Sequence, residues 1–306
     1  MELSFYLEHS LNGLQFGLML FLLAAGLSLI FGIMDFINLA HGSLYMLGAY
    51  LMASLSLRLN SFGLALFLSI SITALLAALL EYSLLRHLYR RDHLSQVLAS
   101  FALILIANEA VRIFWGPQAI LLNTPAIFAG SVPILTDFNY SSYRLLIIAT
   151  GLCVALLLYL LIQHTRIGMW VRAGASLPEM ARCMGVNIQL LFTLLFALGA
   201  ALCALAGALL GPILAVQVGM GEQILILAFV VVVIGGIGSV RGAFIGALLV
   251  GALDTLSKTA LPLLLKTILA NQVASELSAG LSSVLIYLLM AVVLYFKPQG
   301  LFPARS

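Results

Sequence analysis

"FVVVVIGGIGSVRGAFIGALLVGALD", residues 229–254, decides the fold. A valine run enters a glycine cluster, and a second apolar run comes after it. Two structures share that outline. One is the strand, turn and helix of a dinucleotide-binding unit; the other is a membrane helix that breaks and restarts. The dinucleotide fingerprint needs Gly-x-Gly-x-x-Gly and an acidic residue about 20 positions on. Here Gly236 and Gly238 are followed by Gly242, one residue too late, and residues 255–265 are apolar or neutral apart from Lys258. No Gly-Lys pair occurs anywhere, so a Walker phosphate loop is absent.

Composition agrees with the membrane reading. Of 306 residues, 63% are hydrophobic and 8% charged. A soluble domain carries about 25% charged residues, because its surface meets water. This chain has too few for such a skin, so its outer surface must face lipid. The formal charge of +3 is too small to point to nucleic acid. Cys153, Cys183 and Cys203 form no Cys-x-x-Cys unit and the five histidines are scattered, so no metal or redox cofactor is expected in the chain.

A membrane helix needs about 20 mostly apolar residues. Runs of that kind lie near 11–33, 42–58, 62–82, 94–114, 143–163, 190–211, 222–237, 242–260 and 277–296, the second and seventh being short. The expected fold is an all-α, polytopic integral membrane helical bundle with about 8–10 transmembrane elements. Glu2 and Glu8 in place of a positive n-region, and a first run too long for an h-region, argue against a cleavable signal.

Basic residues set the orientation. One face collects Arg86, Arg90, Arg91, Arg166, Arg172, Arg182, Arg241, Lys297 and Arg305; the other holds Arg58, Arg112, Arg144, Lys258 and Lys266. Glu2, Glu8, Glu109, Asp137, Glu222, Asp254 and Glu276 lean to the second face. The expectation is an N-terminus outside and a C-terminus in the cytoplasm. Residues 115–143, interrupted by Pro117, Pro125 and Pro133, form the longest external connection. It either caps the outer mouth, receives a partner, or simply connects.

Two regions read as interrupted helices. In "GLSLIFGIMDFINLAHGSLYMLGAY", residues 26–50, Gly32 ends a run, Asn38 and His41 break it, and Gly42 and Gly48 open the next. In the opening stretch Gly235, Gly236 and Gly238 end one run, and Gly242 and Gly246 begin the next. Paired interruptions of this kind point to a substrate path in transporters, since broken backbone at membrane depth must be satisfied by protein or a watery cavity. Close helix packing is the other use of such glycines; the small-residue ridges Ala24, Ser28, Gly32 and Gly242, Gly246 fit it. Both uses remain open for these residues. The pairs Glu109 with Arg112 and Asp254 with Lys258 can each neutralise themselves along one helix face. No ladder of ionisable groups spans the bundle, which argues against a proton relay.

"RIGMWVRAGASLPEMARCMGVNIQ", residues 166–189, carries the most specific local pattern. Ser176 and Glu179 form an S-x-x-E capping box, Pro178 falls in the first turn, and Gly185 can take the left-handed C′ position. The pattern predicts a short helix over about 177–184, outside the bilayer. Leu177, Met180 and Met184 share one side, and Glu179 and Arg182 another. The methionine ridge fits either a groove in a partner or the surface of its own membrane domain.

Together these motifs resemble the permease family of branched-chain amino acid ABC importers, the LivH/LivM type, and most closely its shorter, LivH-like subunit. The stretches 26–50 and 232–254 are similar to the two family signatures. "RAGASLPEMARCMGVN" resembles the ATPase-docking loop, "ALGAALCALAGALLG" is family-like, and "KPQGLFPARS" resembles the tail. The resemblance covers nearly the whole chain and implies a single permease domain over 1–306, in a bacterial-type inner membrane. It implies a second related permease, two cytoplasmic ATPases that hold ATP and magnesium, and an external substrate-binding protein. It makes Leu177, Pro178, Glu179, Met180, Ala181, Arg182, Met184 and Gly185 the coupling segment. It makes Asn38, His41, Gly42, Ser43, Gly235, Gly236, Gly238 and Ser239 the translocation path. The implied cargo is a branched-chain amino acid or a related amide, urea or aromatic acid. A self-sufficient secondary transporter or channel is the alternative. A membrane subunit of an oxidoreductase would want paired histidines for haem, which the scatter disfavours.

Overall fold

The computed structural model describes residues 2–89, 91–135, 138–267 and 271–302. Arg90, Asp137 and Arg305, used above for orientation, lie outside the described residues. Each of the nine apolar runs is a helix, as expected where lipid leaves backbone groups no partner but their own chain. The order is α1 (Glu2–Met34), α2 (His41–Leu59), α3 (Phe62–Leu80), a π-helical turn (Glu81–Leu85), α4 (Arg86–Leu88) and α5 (His93–Trp115). A hairpin of β1 (Ser131–Leu135) and β2 (Phe138–Ser141) is next. Then come α6 (Ser142–His164), α7 (Arg166–Ser176), α8 (Pro178–Cys183), α9 (Ile188–Leu210), α10 (Met220–Gly235), α11 (Val240–Lys266) and α12 (Asn271–Phe296). Among the described residues seven stretches are long and apolar enough to cross a membrane, those of α1, α3 through α4, α5, α6, α9, α11 and α12. The two short runs became α2 and α10, which are not among them.

A helix that is apolar all round is a buried one, and α1 is the centre of this bundle. From Leu18 to Ala25 every side chain is buried. It packs on α9 and α11 through small residues: a Cβ on Gly17 would stand 2.9 Å from the Ala247 carbonyl, and one on Gly26 would stand 3.0 Å from Gly199. Backbones this close exclude larger side chains and exchange dispersion contacts instead. The outer helices leave Leu75, Leu79, Phe101, Leu105, Leu156 and Leu288 exposed, as a lipid-facing surface requires.

The connection over residues 115–143 is more ordered than a plain loop. β1 and β2 pair antiparallel, Val132 opposite Tyr140 and Pro133 opposite Asn139. Tyr140 donates to Asn12 Oδ1 at 3.0 Å, and Arg144 donates to the same atom. Ile120 exchanges two backbone hydrogen bonds with Val216, 2.8 and 3.0 Å long. The connection is thereby tied to residues 211–219, a third interruption, between α9 and α10, that the sequence reading did not single out. Both expected ion pairs form, Arg112 to Glu109 at 2.9 Å and Lys258 to Asp254 at 2.7 Å.

Candidate functional site

The first interruption, residues 35–40, leaves α1 at a left-handed Asp35 (φ +48°) and enters α2 at His41. Asn38 and His41 are both fully buried. The Asn38 Oδ1 accepts the Ala40 N–H at 3.0 Å, which fixes the turn into α2. The His41 Nε2 lies 2.9 Å from Cys203 Sγ on α9. The Asn38 Nδ2 has no hydrogen-bond partner among the described residues. Gly42 and Ser43, next in the chain, are buried too. A Cβ on Gly42 would run into the Gly221 carbonyl, and one on Gly221 into that of Gly42. The first turns of α2 and α10 thus meet backbone to backbone.

The second interruption, residues 236–239, is a tight hairpin turn. Gly242 packs on Gly235 and Gly246 on Val231, so α10 and α11 run antiparallel in contact. Gly236 (φ +105°) and Gly238 (φ +79°) supply conformations that other residues avoid. Ser239 caps α11 by accepting the Gly242 N–H at 3.0 Å. The tail closes the turn. Leu301 and Phe302 donate backbone N–H groups to the Ile234 and Gly235 carbonyls, each at 2.9 Å. The last turns of α1, just before the first interruption, press on the second: a Cβ on Gly32 would run into the Gly238 Cα.

The α8 segment differs from expectation at its start. The capping box between Ser176 and Glu179 does not form. Ser176 is the last residue of α7, and its hydroxyl turns back to the Arg172 and Ala173 carbonyls at 3.1 and 3.3 Å. The residue preceding α8 is Leu177, which makes no side-chain cap, with Pro178 in the first turn. The C-terminal expectation holds. Gly185 has φ +87°, its N–H bonds the Arg182 carbonyl at 2.9 Å, and Val186 N–H bonds the Ala181 carbonyl at 3.0 Å. This is the Schellman arrangement. Ala181 is buried with Val171, Ile188, Leu191 and Leu195. Leu177, Met180 and Met184 are 61%, 65% and 85% exposed, so the methionine ridge points away from its own bundle. Glu179 and Arg182 are exposed beside it.

Sequence reasoning missed Glu81. It lies in the π-helical turn and is fully buried. Tyr89 donates to its Oε1 at 2.9 Å, Thr193 to its Oε2 at 2.5 Å, and Arg86 Nη2 stands 3.5 Å away. The signal was a carboxylate at the end of an apolar run with Arg86 one turn beyond. A π-turn inserts an extra residue and rotates the helix beyond it, which brings Arg86 and Tyr89 back to Glu81. This cluster borders a half-open cavity of about 630 Å³ lined also by the end of α1, α8, the start of α9 and Ile237 of the second interruption.

Residues 10–294 match the family model described as "Branched-chain amino acid transport system / permease component". The chain belongs to this family. It is 28% identical to the high-affinity branched-chain amino acid transport system permease protein BraD of Pseudomonas aeruginosa, over 98% of this chain and 96% of that one. It is equally 28% identical to the permease protein LivH of Escherichia coli K12, over 97% and 95% of the two chains. A probable LivH of Methanocaldococcus jannaschii matches at 28% over 78% of this chain and 76% of its own. No solved structure matches. The chain is therefore a multi-pass permease component of an ABC importer.

Proposed function

We propose that this permease carries branched-chain amino acids inward, beside a second related permease, on power from two cytoplasmic ATPases that dock on α8. An external binding protein delivers the cargo. The N-terminus lies outside and the C-terminus in the cytoplasm, since the basic residues Arg86, Arg172, Arg182, Arg241 and Lys297 gather at the α8 end. The observation that carries this reading is the α8 ridge. Leu177, Met180 and Met184 stand out from the molecule while Ala181 anchors the helix to α7 and α9. An adaptable apolar ridge on a firmly seated helix suits a groove in a motor subunit. The first interruption supports a path along α2. Its buried Asn38 amide has a donor to spare, and the N-terminal ends of α2 and α10 beside it favour an anionic group such as a carboxylate.

The test is Met180→Glu with Met184→Glu in the complete transport system reconstituted in vesicles. A charge placed in an apolar contact is costly. ATP hydrolysis continues while leucine uptake falls about tenfold or more, the effect of ~1.4 kcal/mol at the joint. Uptake at the unmodified rate would overturn the docking assignment.

A further inference from the structure

The cavity between α1 and α8 has an unusual charge balance. On its wall Glu81 pairs with Arg86 and accepts from Thr193 and Tyr89, while Arg86 also donates to Thr193 and keeps only its Nε without a partner among the described residues. Asp35 and Arg182 line the same space, and neither forms an ion pair among the described residues. One free carboxylate and one free guanidinium thus face a shared volume. Phe31, Met34, Ile188, Phe192 and Ile237 give part of the wall an apolar surface, beside the polar Gln189. The volume of about 630 Å³ falls within the ~300–1,000 Å³ of small-molecule sites.

We propose that this cavity binds a zwitterionic α-amino acid with an apolar side chain, its ammonium on Asp35 and its carboxylate on Arg182. The proposal rests on the branched-chain cargo reading above and adds a site at the α8 end of the molecule. A simple anion would meet the Asp35 charge, and a simple cation the Arg182 charge. A neutral amide would leave both charges unused. A zwitterion satisfies both, and guanidinium is the side chain best shaped to hold a carboxylate. Asp35 lies just past the end of α1 and Arg182 sits on α8, so a bound amino acid bridges the central helix to the docking segment.

The test uses the full chain purified in detergent, with binding followed by saturation-transfer NMR. The probes are leucine, leucinamide, which lacks the carboxylate, and 4-methylpentanoate, which lacks the ammonium. Leucine binds saturably, and both analogues bind about tenfold more weakly, the loss of one charge contact. Asp35→Asn and Arg182→Gln each weaken leucine by about the same factor. The preferences then swap: 4-methylpentanoate binds Asp35→Asn better than the unmodified chain, and leucinamide binds Arg182→Gln better. A purely structural role produces no such swap. Leucine binding that is absent, or unchanged in both variants, overturns the proposal, as does loss of binding without the swap. Arg182 is on the surface, so Arg182→Gln keeps the test alive should Asp35→Asn not fold. Leucine uptake by the complete transport system is measured in parallel. Uptake with no binding at the cavity sinks this site alone; no leucine uptake sinks the cargo reading instead.

Discussion

Between α1 and α2 the chain leaves helix for residues 35–40; between α10 and α11 it does so for residues 236–239. The first passage buries Asn38 and His41 and leaves an amide donor unused. The second is built on glycines, and its two helices fold back on each other at once. It is further closed by Leu301 and Phe302. Glycine marks both places, yet the physical task differs. In the first, polar side chains hold open a departure from helix inside the protein. In the second, the missing side chains let two helices and a tail approach closely. Rearrangement that exposes polar groups has material to work with only in the first.

Three variants sharpen or break that contrast. The largest effect is expected for Gly32→Leu, because Gly32, in the α1 turn that leads into the first passage, is pressed against Gly238 of the second. Overpacking a core by this much costs about 1–3 kcal/mol or more, and little properly folded chain should survive size exclusion in detergent. A well-folded Gly32→Leu protein would mean the end of α1 is not pressed against the second passage. Next, Asn38→Leu leaves the Ala40 N–H buried without its partner, at a cost of about 1–3 kcal/mol. The melting midpoint should fall clearly, and an unchanged midpoint would deny Asn38 its role in the turn. The smallest effect is expected from ending the chain at Pro298. The Ile234 and Gly235 carbonyls then lose two bonds worth about 0.5–1.5 kcal/mol each at most, partly replaced by water. Amide exchange should quicken over residues 236–240 and stay unchanged over residues 36–41. Equal quickening at both would make them one unit.

Much of the fold was legible because lipid allows so few backbone solutions. Runs of about 20 apolar residues became helices, most ends lying close to where expected, while α1 begins well before residue 11, α11 runs on past residue 260 and α12 begins before residue 277. The hidden parts depended on contacts between distant stretches of chain. Residues 211–219 look like more apolar chain, and only their pairing with Ile120 defines them as a passage outside helix. The hairpin at Ser131–Ser141 was obscured by Pro133, which an edge strand tolerates. Ser176 has the local chemistry of a cap, but α7 runs through it and its hydroxyl found nearer carbonyls. The α8 ridge could be read as a surface from spacing alone; which way it faced could not, since that depends on Ala181 meeting α7 and α9. Asn38 and His41 were singled out for polarity in an apolar run, and the structure buries them, with His41 against Cys203. Glu81 was passed over because nothing local announces a π-turn, and its partner Thr193 comes from α9, more than a hundred residues away.

The pairing of Leu301 and Phe302 with the end of α10 also has a consequence in time. A ribosome delivers Ile234 and Gly235 well before Leu301 and Phe302, whose N–H groups their carbonyls accept. Through the synthesis of α11 and α12 those two acceptors must be served by water or by a chaperone. The α10–α11 turn is thus a late-maturing part of the molecule, and its protection from proteolysis reports whether the chain beyond α12 has come home.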